Sequence, residues 1–91
     1  MRVQRNVRKS ARPVRRDIFP DHLLLDEVAE LMGVHLNTVK SWIGGSEPAL
    51  ASVKFQGRRY IYDGALLNFA GKRGMRMHML SGAIRKMRKE R

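Results

Sequence analysis

From Leu24 onward the apolar positions follow a helical period. Leu25, Val28, Ala29 and Met32 fall at i, i+3, i+4 and i+7, while Asp26, Glu27 and Glu30 are directed the other way. Acids near the start suit the helix dipole. Gly33 closes this helix as a left-handed residue should. Asp21 is the only good N-cap nearby, so the helix is expected to begin as much as a turn before Leu24. A second short helix follows at once, with Val39, Trp42 and Ile43 at i, i+3 and i+4 and Gly44-Gly45 as its stop. Residues 44–52 read as a loop with Leu50 tucked inward. Val53 and Phe55 then alternate with Lys54, and Ile61 with Tyr60 and Tyr62, which predicts a β-hairpin turning at Gly57. Asp63 is placed to cap a third helix in which Leu66, Leu67, Phe69 and Ala70 pack. Gly71-Lys72-Arg73-Gly74 reads as a hinge. Beyond it Met77, Leu80, Ile84 and Met87 form an amphipathic stripe, weakened by Gly82. Pro13 and Pro20 argue against a continuing helix before the first periodic segment. No internal repeat is found.

Length and charge sharpen this pattern. The chain has 91 residues, enough for one small domain, and a formal net charge of +11. Residues 1–16 hold seven cations (Arg2, Arg5, Arg8, Lys9, Arg12, Arg15 and Arg16) and no acid. Residues 17–71 are mildly acidic, and residues 72–91 hold eight cations against Glu90 alone. The organisation expected is a basic arm over 1–20, a folded domain over 21–71 and a basic helix or tail over 72–91. Blocks of like charge repel themselves until a polyanion neutralises them, and nucleic acid is the strongest candidate through counterion release. A purely solubilising role and anionic lipid headgroups are weaker alternatives; neither tail carries an aromatic anchor. The chain has no cysteine, which excludes a disulfide framework, a Cys-ligated zinc and a thiol nucleophile, and fits a reducing compartment. The longest apolar run is Leu23-Leu24-Leu25, against the ~20 residues of a membrane span. No apolar stretch follows the basic start, so no secretory signal is expected; a presequence is a minor alternative.

The central segment carries the information. A helix-turn-helix needs a small residue where its helices cross, a tight turn and a shared core. Ala29, Gly33 and the set Val28, Met32, Val34, Val39 and Trp42 supply these seven positions. An αα-hairpin with no DNA role is the plainer alternative. The stretch Leu23-Leu24-Leu25-Asp26-Glu27-Val28-Ala29-Glu30-Leu31-Met32-Gly33-Val34-His35-Leu36-Asn37-Thr38-Val39-Lys40-Ser41-Trp42-Ile43, followed by Gly57-Arg58-Arg59-Tyr60 and the segment after Asp63, resembles the excisionase/MerR-type winged helix-turn-helix family. The resemblance covers about residues 23–70. It departs at Leu24 and His35, capping positions where the family often carries Thr or Ser and Ser respectively. It implies an α+β, mainly α fold: two helix-turn-helix helices, a β-hairpin wing and a third helix, flanked here by the basic arm and the basic C-terminal segment. It also implies that the second helix enters the major groove, with the wing on the backbone or minor groove.

Carried onto this chain, the groove-facing residues are His35, Leu36, Asn37, Lys40 and Ser41, the positions that the apolar stripe leaves outside. Asn37 suits adenine N6/N7, Lys40 a guanine or phosphate, and Leu36 a thymine methyl or, equally, the core. His35 reads better as a helix-start residue. Thr38 is either a phosphate contact or a β-branched filler. Lys54, Arg58 and Arg59 are the wing cations, with a solvated hairpin tip as the alternative. Lys72, Arg73 and Arg76 join the arm as backbone contacts. Trp42, Phe55, Tyr60 and Phe69 read as core rather than base-stacking platforms.

Enzyme readings find no support: His22, His35 and His78 lack metal-ligand spacing, and no phosphate loop or paired nucleophile and base occurs. No catalytic residue, metal or cofactor is expected. The function expected is sequence-specific binding of duplex DNA by an excisionase-like recombination accessory or small transcription regulator of a phage or mobile element. Its place would be on DNA in the cytoplasm of a bacterial or phage-infected cell. A recombinase or polymerase is a candidate partner, and no membrane is. Self-association through Met77, Leu80, Ile84 and Met87 is a candidate contact, with packing on the chain's own domain as its alternative. A phage small-terminase type of DNA recognition and a basic RNA- or ribosome-associated protein are the rival functions. A structural adaptor acting through the C-terminal helix is another.

Overall fold

A computed structural model describes residues 14–90. The elements run β1 (His22–Leu24), α1 (Leu25–Met32), α2 (Leu36–Ile43), β2 (Val53–Phe55), β3 (Arg58–Tyr62), α3 (Asp63–Lys72) and α4 (Met77–Glu90). The described chain is thus an α+β fold of four helices and one three-stranded antiparallel sheet, in the order β1-β3-β2.

The strand β1 corrects the expectation that the first helix reaches back toward Asp21. His22–Leu24 instead pairs with β3, Leu23 standing opposite Ile61 and Leu24 opposite Tyr60. Three consecutive leucines have no period of their own. Pairing wins because it buries Leu23 and Ile61 completely against each other and the helices. The Asp21 carbonyl accepts from the Asp63 amide at 3.0 Å, tying the strand's entry to the end of β3. The helix then starts at Leu25, and Glu27 turns back so that its carboxylate accepts from the Leu24 amide at 2.9 Å. This is half of a capping box, and it corrects the outward placement expected for Glu27. Gly33 ends α1 in the left-handed region (φ 69°), with the Val34 amide bonded to the Ala29 carbonyl at 3.0 Å.

Strict alternation in β3 also fails: Tyr60 and Ile61 are both buried. Ile61 faces the helices. Tyr60 faces the other side, where residues 14–19 form a cover. Phe19 stacks on the Tyr60 ring at 4.2 Å and 15° and meets Phe55 edge-on at 5.5 Å, while the Arg15 amide donates to the Tyr60 hydroxyl at 3.0 Å. A sheet covered on both faces buries consecutive residues. Val53, on the edge strand, is left exposed. The hairpin turns through Gln56 and Gly57, both at positive φ (51° and 82°), the backbone of a type I′ turn.

The main core joins Leu23, Val28, Val39, Leu50, Ile61, Leu66, Phe69 and Ala70. Asp63 is the first residue of α3 rather than its cap, which is Tyr62. The Asp63 carboxylate is instead engaged by both terminal nitrogens of Arg88, one at 2.8 Å, and Arg88 also donates to the His22 carbonyl at 3.2 Å. That hydrogen-bonded pairing raises the Arg88 pKa above its ordinary value. It fastens α4 to the start of β1 and the start of α3. Leu80 and Ile84 are buried in the same core as the other helices. They are therefore not available to face a second copy, which corrects half of the self-association stripe. Met87 is partly buried against the core and Met77 stays exposed. Among the described residues no helix is long and apolar enough to cross a membrane.

Candidate nucleic-acid interface

The helix α2 is placed by what lies behind it. Val39 is fully buried, and Trp42 packs on Phe69 of α3 at 4.8 Å between ring centroids. Ala29, almost fully buried, lets α1 cross closely, and Gly33 makes the corner. The opposite side of α2 is left to solvent: His35, Asn37, Lys40 and Ser41 are exposed, and so is Leu36 at 38%. Thr38 lies at the margin, half-buried. The Ser41 hydroxyl donates to the Thr38 carbonyl at 2.7 Å, so its oxygen is left facing out as an acceptor. His35 starts the helix in extended conformation without a side-chain cap; its carbonyl accepts the Thr38 amide at 3.0 Å.

The hairpin sorts its cations by face. Lys54 stands opposite Arg59 in the register, and Phe55 opposite Arg58. Side chains of paired residues share a face, and successive residues alternate. Lys54 and Arg59 therefore lie on the Ile61 side, toward the helices, and Arg58 lies on the side of Phe55 and Tyr60. Lys54 and Arg59 are exposed, and Arg59 donates to the Ser52 hydroxyl at 3.2 Å. The three cations read from sequence as one wing group are thus split two and one.

The arm divides similarly. Arg2, Arg5, Arg8, Lys9 and Arg12 lie outside the described residues. Arg15 grips Asp17 through two bonds of 3.1 and 2.9 Å, and Arg16 meets Glu27 at 3.0 Å. The hydrogen bond with Arg15 draws the Asp17 carboxyl below its usual range and raises Arg15 in turn. Arg16 ties residues 14–19 to α1 and the Arg15 amide ties them to Tyr60, while the Arg15–Asp17 pair lies within the segment. At the end of α3 and in the turn before α4, Lys72, Arg73 and Arg76 are exposed. Arg73 lies over two rings, its guanidinium carbon 4.5 Å from the Phe69 centroid and 5.1 Å from that of Trp42. Sequence reasoning found the residue but not this seat, which depends on a contact across 31 positions that no local pattern carries.

A shallow groove between α1 and α4 holds Asp26, Glu27, Glu30 and Glu90 together with Lys86, beside Leu31, Ala83 and Met87. Among the described residues no group of His, Cys, Asp and Glu is arranged to hold a metal ion. The exposed groups of α2, of the hairpin and of the segment after α3 are an amide, hydroxyls, ammonium and guanidinium groups, the donors and acceptors that meet phosphates and base edges. No family model, curated protein or solved structure matches this chain.

Proposed function

We propose that the protein is a winged helix-turn-helix DNA-binding protein of excisionase/MerR type. In this reading α2 enters the major groove of duplex DNA and the β2–β3 hairpin serves as the wing. The observation that carries it is the two-sidedness of α2: Val39 and Trp42 brace it from behind while Asn37, Lys40 and Ser41, with Leu36 beside them, form one uncovered face. The left-handed corner at Gly33 and the sheet order β1-β3-β2, with the hairpin returning beside β1, support the same reading. Asn37 reads adenine, Leu36 meets a thymine methyl, and Lys40 takes a guanine or phosphate. Lys54, Arg59 and the cations of the arm and of the α3–α4 turn hold the backbone. The role is occupancy or bending of a site, as a recombination accessory or small regulator of a mobile element.

The test is an unbiased selection of duplex sequences followed by footprinting. A defined site is expected. Asn37→Ala is expected to cost about 1–3 kcal/mol on that site and little on unrelated duplexes. Preference for structured RNA over duplex DNA at physiological salt would overturn the reading, as would an Asn37→Ala loss spread evenly over all sequences.

A further inference from the structure

We propose that Arg73 is a preformed phosphodiester-binding residue on one flank of α2, with Trp42 and Phe69 as its positioning residues. The inference rests on the duplex-DNA reading and deepens it: it turns one cation of a basic segment into a built contact with a stated ligand, the non-bridging oxygens of one backbone phosphate.

Three observations carry it. The first is the seat. The guanidinium lies over the rings of Phe69 and Trp42 at 4.5 and 5.1 Å, and the two rings are themselves packed at 4.8 Å. A guanidinium seated over rings keeps its N–H donors for oxygen acceptors, two of which its flat fork can meet at once. The second is the backbone beneath it. The Arg73 amide donates to the Ala70 carbonyl at 3.0 Å, Gly74 to Gly71 at 3.1 Å and Met75 to Ala70 at 3.0 Å, with Gly74 at φ 81°. The residue therefore leaves a bonded turn, not a loose tail. The third is charge. Arg15, Arg16 and Arg88 are each matched to a carboxylate, whereas among the described residues no carboxylate pairs with Arg73. A cation held by rings keeps its charge for an outside anion.

The place fits the ligand. Trp42 is one helical turn beyond Thr38, so Arg73 extends the flank of α2 that carries Thr38 and Ser41. A helix about 10–12 Å wide nearly fills a major groove about 12 Å wide, which runs a sugar–phosphate strand along each flank. Holding the side chain in advance removes part of the rotamer entropy that a free arginine loses on binding.

The chain contains one tryptophan, so Trp42 emission reports directly on this seat. The experiment titrates the full-length protein with a short labelled duplex of unrelated sequence over a series of salt concentrations, for wild type, Arg73→Gln and Arg73→Lys. Wild type is expected to bind and to change its Trp42 emission on binding. Arg73→Gln is expected to bind roughly 3- to 10-fold more weakly, with a salt slope shallower by about 0.9 and no emission change. Arg73→Lys keeps the charge but loses the flat fork, so it is expected to keep the slope and still bind more weakly. If wild type binds and Arg73→Gln matches it in affinity and slope, the phosphate site is wrong while the DNA reading stands. If wild type itself does not bind duplex DNA, both fall. Should Arg73→Gln fail to fold, Arg73→Lys decides, because unchanged affinity and emission in that variant overturn the site.

Discussion

Gln56 sits at φ 51° in the hairpin turn, in a region that L-residues other than Asn and Asp seldom occupy. Asn is the residue that such a turn prefers before glycine. Gln56→Asn is therefore expected to recover part of the roughly 1–2 kcal/mol that a left-handed residue costs, read as a higher melting temperature with unchanged DNA affinity. Asp17 makes a second residue-scale case. Its carboxyl is drawn below the ordinary value, chiefly by the hydrogen bond from Arg15. A depressed carboxylate stabilises the fold fully above its unfolded value and loses that contribution as pH falls through the folded one. The local turn that Asp17 and Arg15 close is thus expected to loosen below about pH 4, seen in NMR as a shift of the Arg15 Nε–H signal. Because Asp17 is exposed, added salt is expected to blunt the effect. Asp63→Asn removes the charge that Arg88 engages with the pair only partly exposed, and is expected to destabilise the docking of α4 by about 1–3 kcal/mol.

At the scale of elements, α4 is structural rather than an appended tail. Leu80 and Ile84 complete the core, and Arg88 bolts the helix to β1 through the His22 carbonyl and to the start of α3 through Asp63. Removing residues 77–91 is expected to unfold the domain, whereas Leu80→Ala is expected to cost about 2–5 kcal/mol and leave a folded protein at low temperature; circular dichroism during thermal melting separates the two. The stripe of α4 was legible in the spacing of Leu80, Ile84 and Met87, but not the surface it meets, because the same stripe serves a second copy or the chain's own core equally well. The helices α1, α2 and α3 were legible for the usual reason, a 3.6 period closed by glycine or begun after a turn. The strand β1 was not: its three residues cannot alternate visibly, and its partner lies some 38 positions on, opposite Tyr60–Tyr62. The second cover on the sheet, from Phe19, was hidden for the same reason, since Phe19 precedes any periodic segment and its partners Phe55 and Tyr60 are far along the chain. The outward face of α2 was readable as the complement of its apolar stripe. The seat of Arg73 was not, because a ring pair from two helices has no signature in either.

The exposed cations are spread over several elements of the described chain: Lys40 on α2, Lys54 and Arg59 on the hairpin, Lys72, Arg73 and Arg76 at the end of α3 and in the turn after it, and Arg85, Lys86 and Lys89 on α4. The acids Asp26, Glu27, Glu30 and Glu90 lie with Lys86 in the groove between α1 and α4. Size sets how far the domain reaches alone. Its longest extent is 44 Å, against about 34–36 Å for one turn of duplex, so in the proposed reading one copy laid along the duplex would span about a turn. Charge beyond that length must come from the arm, whose first five cations precede the described residues while Arg15 and Arg16 are already paired within the fold. Deleting residues 1–13 is therefore expected to leave the melting temperature almost unchanged, because residues 14–19 keep the Phe19–Tyr60 contact. Binding should weaken by a similar factor on the selected site and on unrelated duplexes. The slope of log K against log salt should become shallower by about 0.9 for each of the five cations that meets a phosphate. A discriminating outcome is the behaviour of Asn37→Ala in the shortened chain: its loss on the selected site should be the same as in the full chain, since arm and recognition helix act on different parts of the duplex. A larger loss in one background than in the other would mean that the arm reads sequence as well, through the minor groove beside α2, and would end the division between an arm that binds and a helix that selects.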